Sequence, residues 1–211
     1  MGRTGFRRAQ AFSLAAALVG WSFLGPRLPP AWRAAVQAGA AGLLVLVTRA
    51  PLGLSPPRLW TGLRLGSAAG AAAASVIAAT TAVPLVRASM AEREPPGSVP
   101  GWLLLRIPVG TVWAEEAAFR AALTAAASGA CGRSGGMLLQ AACFGLSHIA
   151  DARSAGDPVV GTVLVTGIAG WLFGWLADRS GSLAAPMLVH LAINEAGAIA
   201  ALGVRRHGLM V

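Results

Sequence analysis

Seven apolar stretches, at about residues 10–25, 32–49, 62–86, 102–127, 136–150, 158–177 and 182–203, fill most of this chain. A bilayer-crossing helix needs roughly 17–25 mostly apolar residues. In hydrocarbon every backbone polar group must find its partner within the protein, so a chain with this pattern folds as a helical bundle. Composition agrees: 12% of the 211 residues are charged, against about 25% in soluble domains. The first and fifth stretches are short for a crossing and are expected to be tilted, broken or partly re-entrant. Pro26, Pro29 and Pro30 separate the first two stretches, and Pro51, Pro56 and Pro57 the next two. The longest polar connection, 87–101, divides an N-terminal packing half of about three spans (1–95) from a second half (96–211). The expected fold is all-α, a polytopic transmembrane bundle of about seven spans.

The net charge is +9, and all 17 basic residues are Arg. With the many Ala, Gly and Pro residues, this is the coding bias of a GC-rich genome. The arginines are scattered between apolar runs with no basic stripe and no base-stacking aromatics, which excludes a nucleic-acid partner. The expected partner is instead the lipid bilayer, with attraction to anionic headgroups. Cys131 and Cys143 are too few and too poorly placed for a disulfide framework or a zinc cluster. Arg3, Arg7 and Arg8 before the run Phe12–Leu24 look like the start of a signal peptide. No small-x-small cleavage site followed by a soluble domain is evident, so an uncleaved first span is expected. The dense basic start favours a cytoplasmic N-terminus. Trp21, Trp32, Trp60 and Trp102 near span ends read as interfacial anchors. Gly66-x-x-x-Gly70 and Gly170-x-x-x-Gly174 permit close helix approach without implying function. Trp171 and Trp175, one turn apart, read as packing.

Three polar signatures interrupt the hydrophobic second half: Glu115-Glu116-x-x-x-Arg120, Phe144-x-x-x-His148 and His190-x-x-x-Asn194. An ionisable group at bilayer depth costs roughly 2.5–3.5 kcal/mol on insertion scales and normally faces a protein interior or a wet cavity. Glu116 and Arg120 are spaced i, i+4 with the acid first, the favourable order for a helical ion pair. Glu115 points about 100° away around the helix and is the freer carboxylate. His148 closes a short span, with Phe144 one turn earlier on the same face, while His190 and Asn194 share a face in mid-helix. His207, in the basic tail, is assigned no role. Taken singly, each signature also fits a buried packing network. Together they supply what amide hydrolysis requires, an activated water and donors to the oxyanion. Glu115 with His148 suits the water, and His190 with Asn194 the oxyanion. Glu115, His148 and His190 are also a plausible zinc ligand set, although no H-E-x-x-H motif is present.

These motifs, in this order on successive membrane helices, resemble the CPBP (Abi) family of intramembrane proteases, which groups CAAX prenyl endopeptidases with bacteriocin-processing or immunity proteins. The resemblance covers roughly residues 100–200. It implies a membrane endopeptidase whose catalytic cavity lies within the C-terminal helices. It also implies that Glu115 and His148 activate water and that His190 and Asn194 stabilise the oxyanion. Glu116 and Arg120, at the remaining motif positions, would be supporting. The cofactor stays open, with a divalent metal such as zinc or none. The implied substrate is a membrane-associated protein or peptide precursor, and the implied location is a bacterial plasma membrane. The oligomeric state is open. Two other readings compete: a non-catalytic scaffold or immunity protein retaining the polar network, and a small transporter with a proton-coupled carboxylate, for which no inverted repeat is visible.

Overall fold

The computed structural model describes residues 2–92 and 97–208, without the side chains of Arg3, His207 and Gly208. The expected division at 95/96 and the side chain of His207 therefore lie outside the described residues. Among those residues the secondary structure is helical throughout. The helices are α1 (Arg3–Leu24), α2 (Pro30–Thr48), α3 (Arg58–Thr80), α4 (Pro84–Glu92), α5 (the π-type segments Trp102–Trp113 and Glu116–Leu123), α6 (Thr124–Ser147), α7 (Ile149–Ala155), α8 (Val159–Ser180) and α9 (Ala184–Gly208).

Five helices, α1, α2, α3, α8 and α9, are long and apolar enough to cross a membrane. The chain is thus an all-helical bundle of the expected class, although only five of the approximately seven expected spans pass on length and apolarity. The fourth and fifth stretches are helical but are not among the five. The fourth, α5, carries Arg106, Glu115, Glu116 and Arg120 and is wound in two short π-type segments. The fifth belongs to α6, which breaks at Gly132 (φ 75°, ψ 169°). Beyond that break Gly136 packs onto Ser128, where a Cβ would lie 2.7 Å from the Ser128 amide nitrogen, so the chain folds back on itself.

Small residues set the helix pairings. The most extensive contacts join α3 to α9, α6 to α8 and α1 to α6. Gly62, Gly66 and Gly70 form a buried stripe on α3. A Cβ on Gly66 would lie 2.8 Å from the Ala185 Cα, so α3 and α9 touch backbone to backbone. Without a hydrophobic driving force between helices in lipid, such close approach is a main source of association. The motif on α8 has a different use: Gly170 faces the Phe144 ring, and Gly174 faces Met137 and Gln140. Where the α8–α9 turn meets the α2–α3 connection, Gly53 (φ 60°) lies against Gly181 (φ 66°). The Leu183 amide donates to the Leu52 carbonyl at 2.9 Å beside it.

The principal core gathers Ala15 of α1, Ala41 and Val45 of α2, Ala117, Phe119 and Leu123 of α5, and Cys143 and Phe144 of α6. The N-terminal helices are therefore packed directly on the segment that bears the motifs. Trp32 and Trp60 are exposed, as interfacial anchors are. Trp21 instead lines an internal cavity.

Candidate active site

The two adjacent glutamates of α5 occupy different environments. Glu116 is fully buried. Its Oε1 lies 2.8 Å from His190 Nδ1 and 3.3 Å from Arg120 Nη1. The Arg120 contact is within ion-pair range but is not aligned as a hydrogen bond, and Glu116 Oε2 and all three guanidinium nitrogens lack hydrogen-bond partners. Arg120 is held chiefly by aromatic faces: its guanidinium carbon sits 3.7 Å from the Phe144 ring centroid and 5.0 Å from that of Phe173. A desolvated cation over an aromatic face is worth about 2 kcal/mol or more. Glu115 is 30% exposed at its side chain, with Oε2 3.8 Å from His190 Nε2. That oxygen is buried and has no hydrogen-bond partner.

His190 thus stands between the two carboxylates, Nδ1 toward Glu116 and Nε2 toward Glu115. Its ring stacks on Phe173, with centroids 5.1 Å apart and an interplanar angle of 27°. His148 is held from the other side. Its Nδ1 lies 2.7 Å from the Phe144 carbonyl oxygen. A carbonyl oxygen only accepts, so Nδ1 carries the hydrogen and the neutral ring presents its Nε2 lone pair elsewhere. The Phe144 ring meets His148 edge-on at 4.7 Å and His190 at 6.2 Å. This phenylalanine, read from sequence as packing, is the hub on which Arg120 and both motif histidines rest.

A cavity of about 480 Å³ opens beside Glu115 and His148. It is not enclosed by the C-terminal helices alone: Leu14, Leu18 and Trp21 of α1 and Arg33, Gln37 and Leu44 of α2 form much of its wall. Glu115, Ser147, His148 and Asp151 are also in the lining, but His190 and Asn194 are not. The Asn194 amide donates to the His190 carbonyl at 3.0 Å, a bond within its own helix. The structure therefore brings Glu115, Glu116, Arg120, Phe144 and His190 into one cluster and places Glu115 and His148 on one cavity. Asn194 stands apart, engaged locally.

Two contributors were not singled out in the sequence. Phe173 stacks on His190 and faces Arg120. Gln140 is fully buried and donates to the Gly170 carbonyl at 2.9 Å, tying α6 to α8. A fully buried glutamine in an apolar segment is the kind of polar exception that could have flagged Gln140. Phe173 carries no comparable signal, because one more aromatic in an apolar helix is indistinguishable from packing. Its neighbours Trp171 and Trp175 are both substantially exposed on the helix's outer side.

A zinc ion would need three of these side chains to converge. Among the described residues no group of three His, Cys, Asp or Glu side chains is so arranged. The set Glu115, His148 and His190 does not fit a metal centre in this arrangement, since His190 Nδ1 is engaged by Glu116. No catalytic step is derived through a metal.

Comparison with known proteins bears on this segment of the chain. Residues 97–196 match a family model described as type II CAAX prenyl endopeptidase Rce1-like. These residues are a CPBP-family segment of the Rce1-like type. The match spans α5 to α9 as far as Ala196 and so contains all three motifs. It supports CAAX-type intramembrane protease activity in general and, with the five apolar helices, an integral membrane protein. No curated protein and no solved structure matches the chain.

Proposed function

We propose that this protein is an intramembrane endopeptidase that hydrolyses a peptide bond of a membrane-associated protein or peptide precursor in a bacterial plasma membrane. The reading rests on Glu115 and His148 sharing the wall of one cavity. Glu115 brings an oxygen without a partner, and His148 brings a free Nε2 lone pair fixed by the Nδ1 contact with Phe144. A water between them would be polarised from both sides, with Glu115 taking its proton as the oxygen attacks the scissile carbonyl. The proton then passes from Glu115 to the departing amine, so one water and one amide become an acid and an amine, and Glu115 is regenerated.

The oxyanion needs a preorganised donor. His190 Nε2, 3.8 Å from Glu115, is the nearest imidazole nitrogen to the reacting position. Serving as a donor there sets a proton count. With Nδ1 on Glu116 and a hydrogen on Nε2, the Glu116–His190 pair must hold one proton more than a carboxylate beside a neutral imidazole. Asn194 joins as second donor if its amide leaves the His190 carbonyl when substrate binds. Glu116, Arg120, Phe144 and Phe173 act as positioning residues that fix the His190 ring.

The test is cleavage of a peptide library by the purified, detergent-solubilised protein, with and without chelator, beside Glu115→Gln. Loss of general-base catalysis lowers the rate by about 10²–10⁴-fold. Undiminished cleavage by Glu115→Gln would overturn the assignment. Full cellular function in Glu115→Gln and His190→Ala would favour the non-catalytic scaffold reading.

A further inference from the structure

The cavity beside Glu115 has a cationic side that the hydrolytic chemistry does not use. Arg33 of α2 and Arg106 of α5 both line it, together with Gln37. Arg33 is anchored by its Nη2, which donates to the Pro26 carbonyl at 2.6 Å and the Leu28 carbonyl at 3.1 Å. Its Nε is buried without a partner. No Asp or Glu among the described residues forms an ion pair with Arg33 or Arg106. Two guanidinium groups on a largely apolar cavity, neither neutralised, call for an anion from outside. Arginine is the side chain best shaped to take a carboxylate, through its planar fork of donors.

From this arrangement we propose that Arg33 and Arg106 form a subsite for a carboxylate of the bound peptide, either a chain terminus or an acidic side chain. The proposal rests on the endopeptidase reading and adds to it a substrate feature and a role for the N-terminal half. The spacing sets the register. Arg106 lies nine residues before Glu115 along α5, about 13 Å at α-helical rise and somewhat less in the wider π-type winding. An extended peptide covers about 3.3–3.6 Å per residue. The carboxylate therefore falls about three to four residues from the scissile bond. Apolar residues of α1 and α2, such as Leu14, Leu18 and Leu44, would flank the intervening side chains.

The experiment uses the full chain in detergent micelles with matched fluorescent peptides. One pair ends in a free acid or an amide three to four residues from the cleaved bond, and the other carries Asp or Asn at that distance within a longer chain. Whichever acid-bearing member wins identifies the source of the carboxylate. The expected preference of wild-type protein for it is about tenfold in kcat/KM, the worth of one charge-assisted hydrogen bond. In Arg106→Gln this preference falls toward unity through KM. Arg106 is exposed, so the variant removes charge without opening the core. Arg33→Gln is a second variant whose loss of the Pro26 and Leu28 contacts is checked by its melting curve. Anisotropy titration of the same peptides onto Glu115→Gln protein reads recognition without turnover. An acid-to-amide ratio near one in both assays, or a ratio unchanged in both arginine variants, overturns the subsite. A ratio near one with Glu115-dependent cleavage sinks only this inference. Absence of Glu115-dependent cleavage with a preserved binding ratio sinks the endopeptidase reading and leaves the subsite standing. Competition by anionic lipid vesicles that is equal for acid and amide peptides assigns the arginines to headgroups and also overturns it.

Discussion

The buried Glu116–Arg120 pair gives a quantitative test of why these charges tolerate the interior. Arg120→Met keeps the length and apolar volume of the side chain, and its thioether can still lie against Phe144 and Phe173. It leaves Glu116, fully buried, with only His190 as a polar partner at 2.8 Å. Removing one member of a buried ion pair typically costs about 3–5 kcal/mol, because the other charge is left uncompensated. Glu116→Gln has the reverse effect, stranding Arg120 among aromatic rings, with a similar expected loss. Gln can still accept from His190 Nδ1, so the double variant Glu116→Gln/Arg120→Met leaves no unpaired charge. Its loss should be well below the sum of the single losses, with a coupling energy of at least about 2 kcal/mol, inside the range seen for interacting neighbours. The assay is denaturant unfolding in mixed micelles, followed by tryptophan fluorescence, for wild type and the three variants. A double variant whose loss equals the sum would refute the reasoning, since it would mean that neither charge depends on the other.

Other outcomes follow from the same packing. Gly66→Val places a side chain where a Cβ already meets the Ala185 Cα at 2.8 Å, so overpacking should cost about 1–3 kcal/mol. Gly39→Ala, with nothing within 4 Å of its Cβ, should be neutral or stabilising by up to about 1 kcal/mol, and micellar melting curves compare the two. Phe173→Leu removes the ring stacked on His190 while retaining an apolar side chain. It should lower kcat more than it raises KM in the peptide assay, whereas a purely structural role for Phe173 predicts lost stability with kcat intact.

The class of fold was legible because apolar runs of bilayer length leave a helix as almost the only way to satisfy the backbone in hydrocarbon. The α1, α2, α8 and α9 stretches appear where periodicity and proline placed them. The fourth and fifth stretches were harder to read. Periodicity does not distinguish α-type from π-type winding, and the Gly132 break depends on how the chain returns onto Ser128. The Glu116–Arg120 contact was readable because i, i+4 residues meet in any helix of this kind. That the glycines of α8 seat Phe144 and Gln140 was not readable, since each motif names only one of the two surfaces that touch.

Sequence alone determined that this chain is a helical membrane bundle with three polar motifs in its second half, because hydrophobicity and local spacing act within a few residues of one another. Tertiary structure alone decided that His190 lies between two carboxylates and that α1 and α2 wall the cavity at Glu115 and His148. Those relations join residues as many as 75 positions apart, as in the hydrogen bond from Trp113 to the Ala38 carbonyl. They follow from which small-residue surfaces pack against each other, and no local pattern encodes that choice.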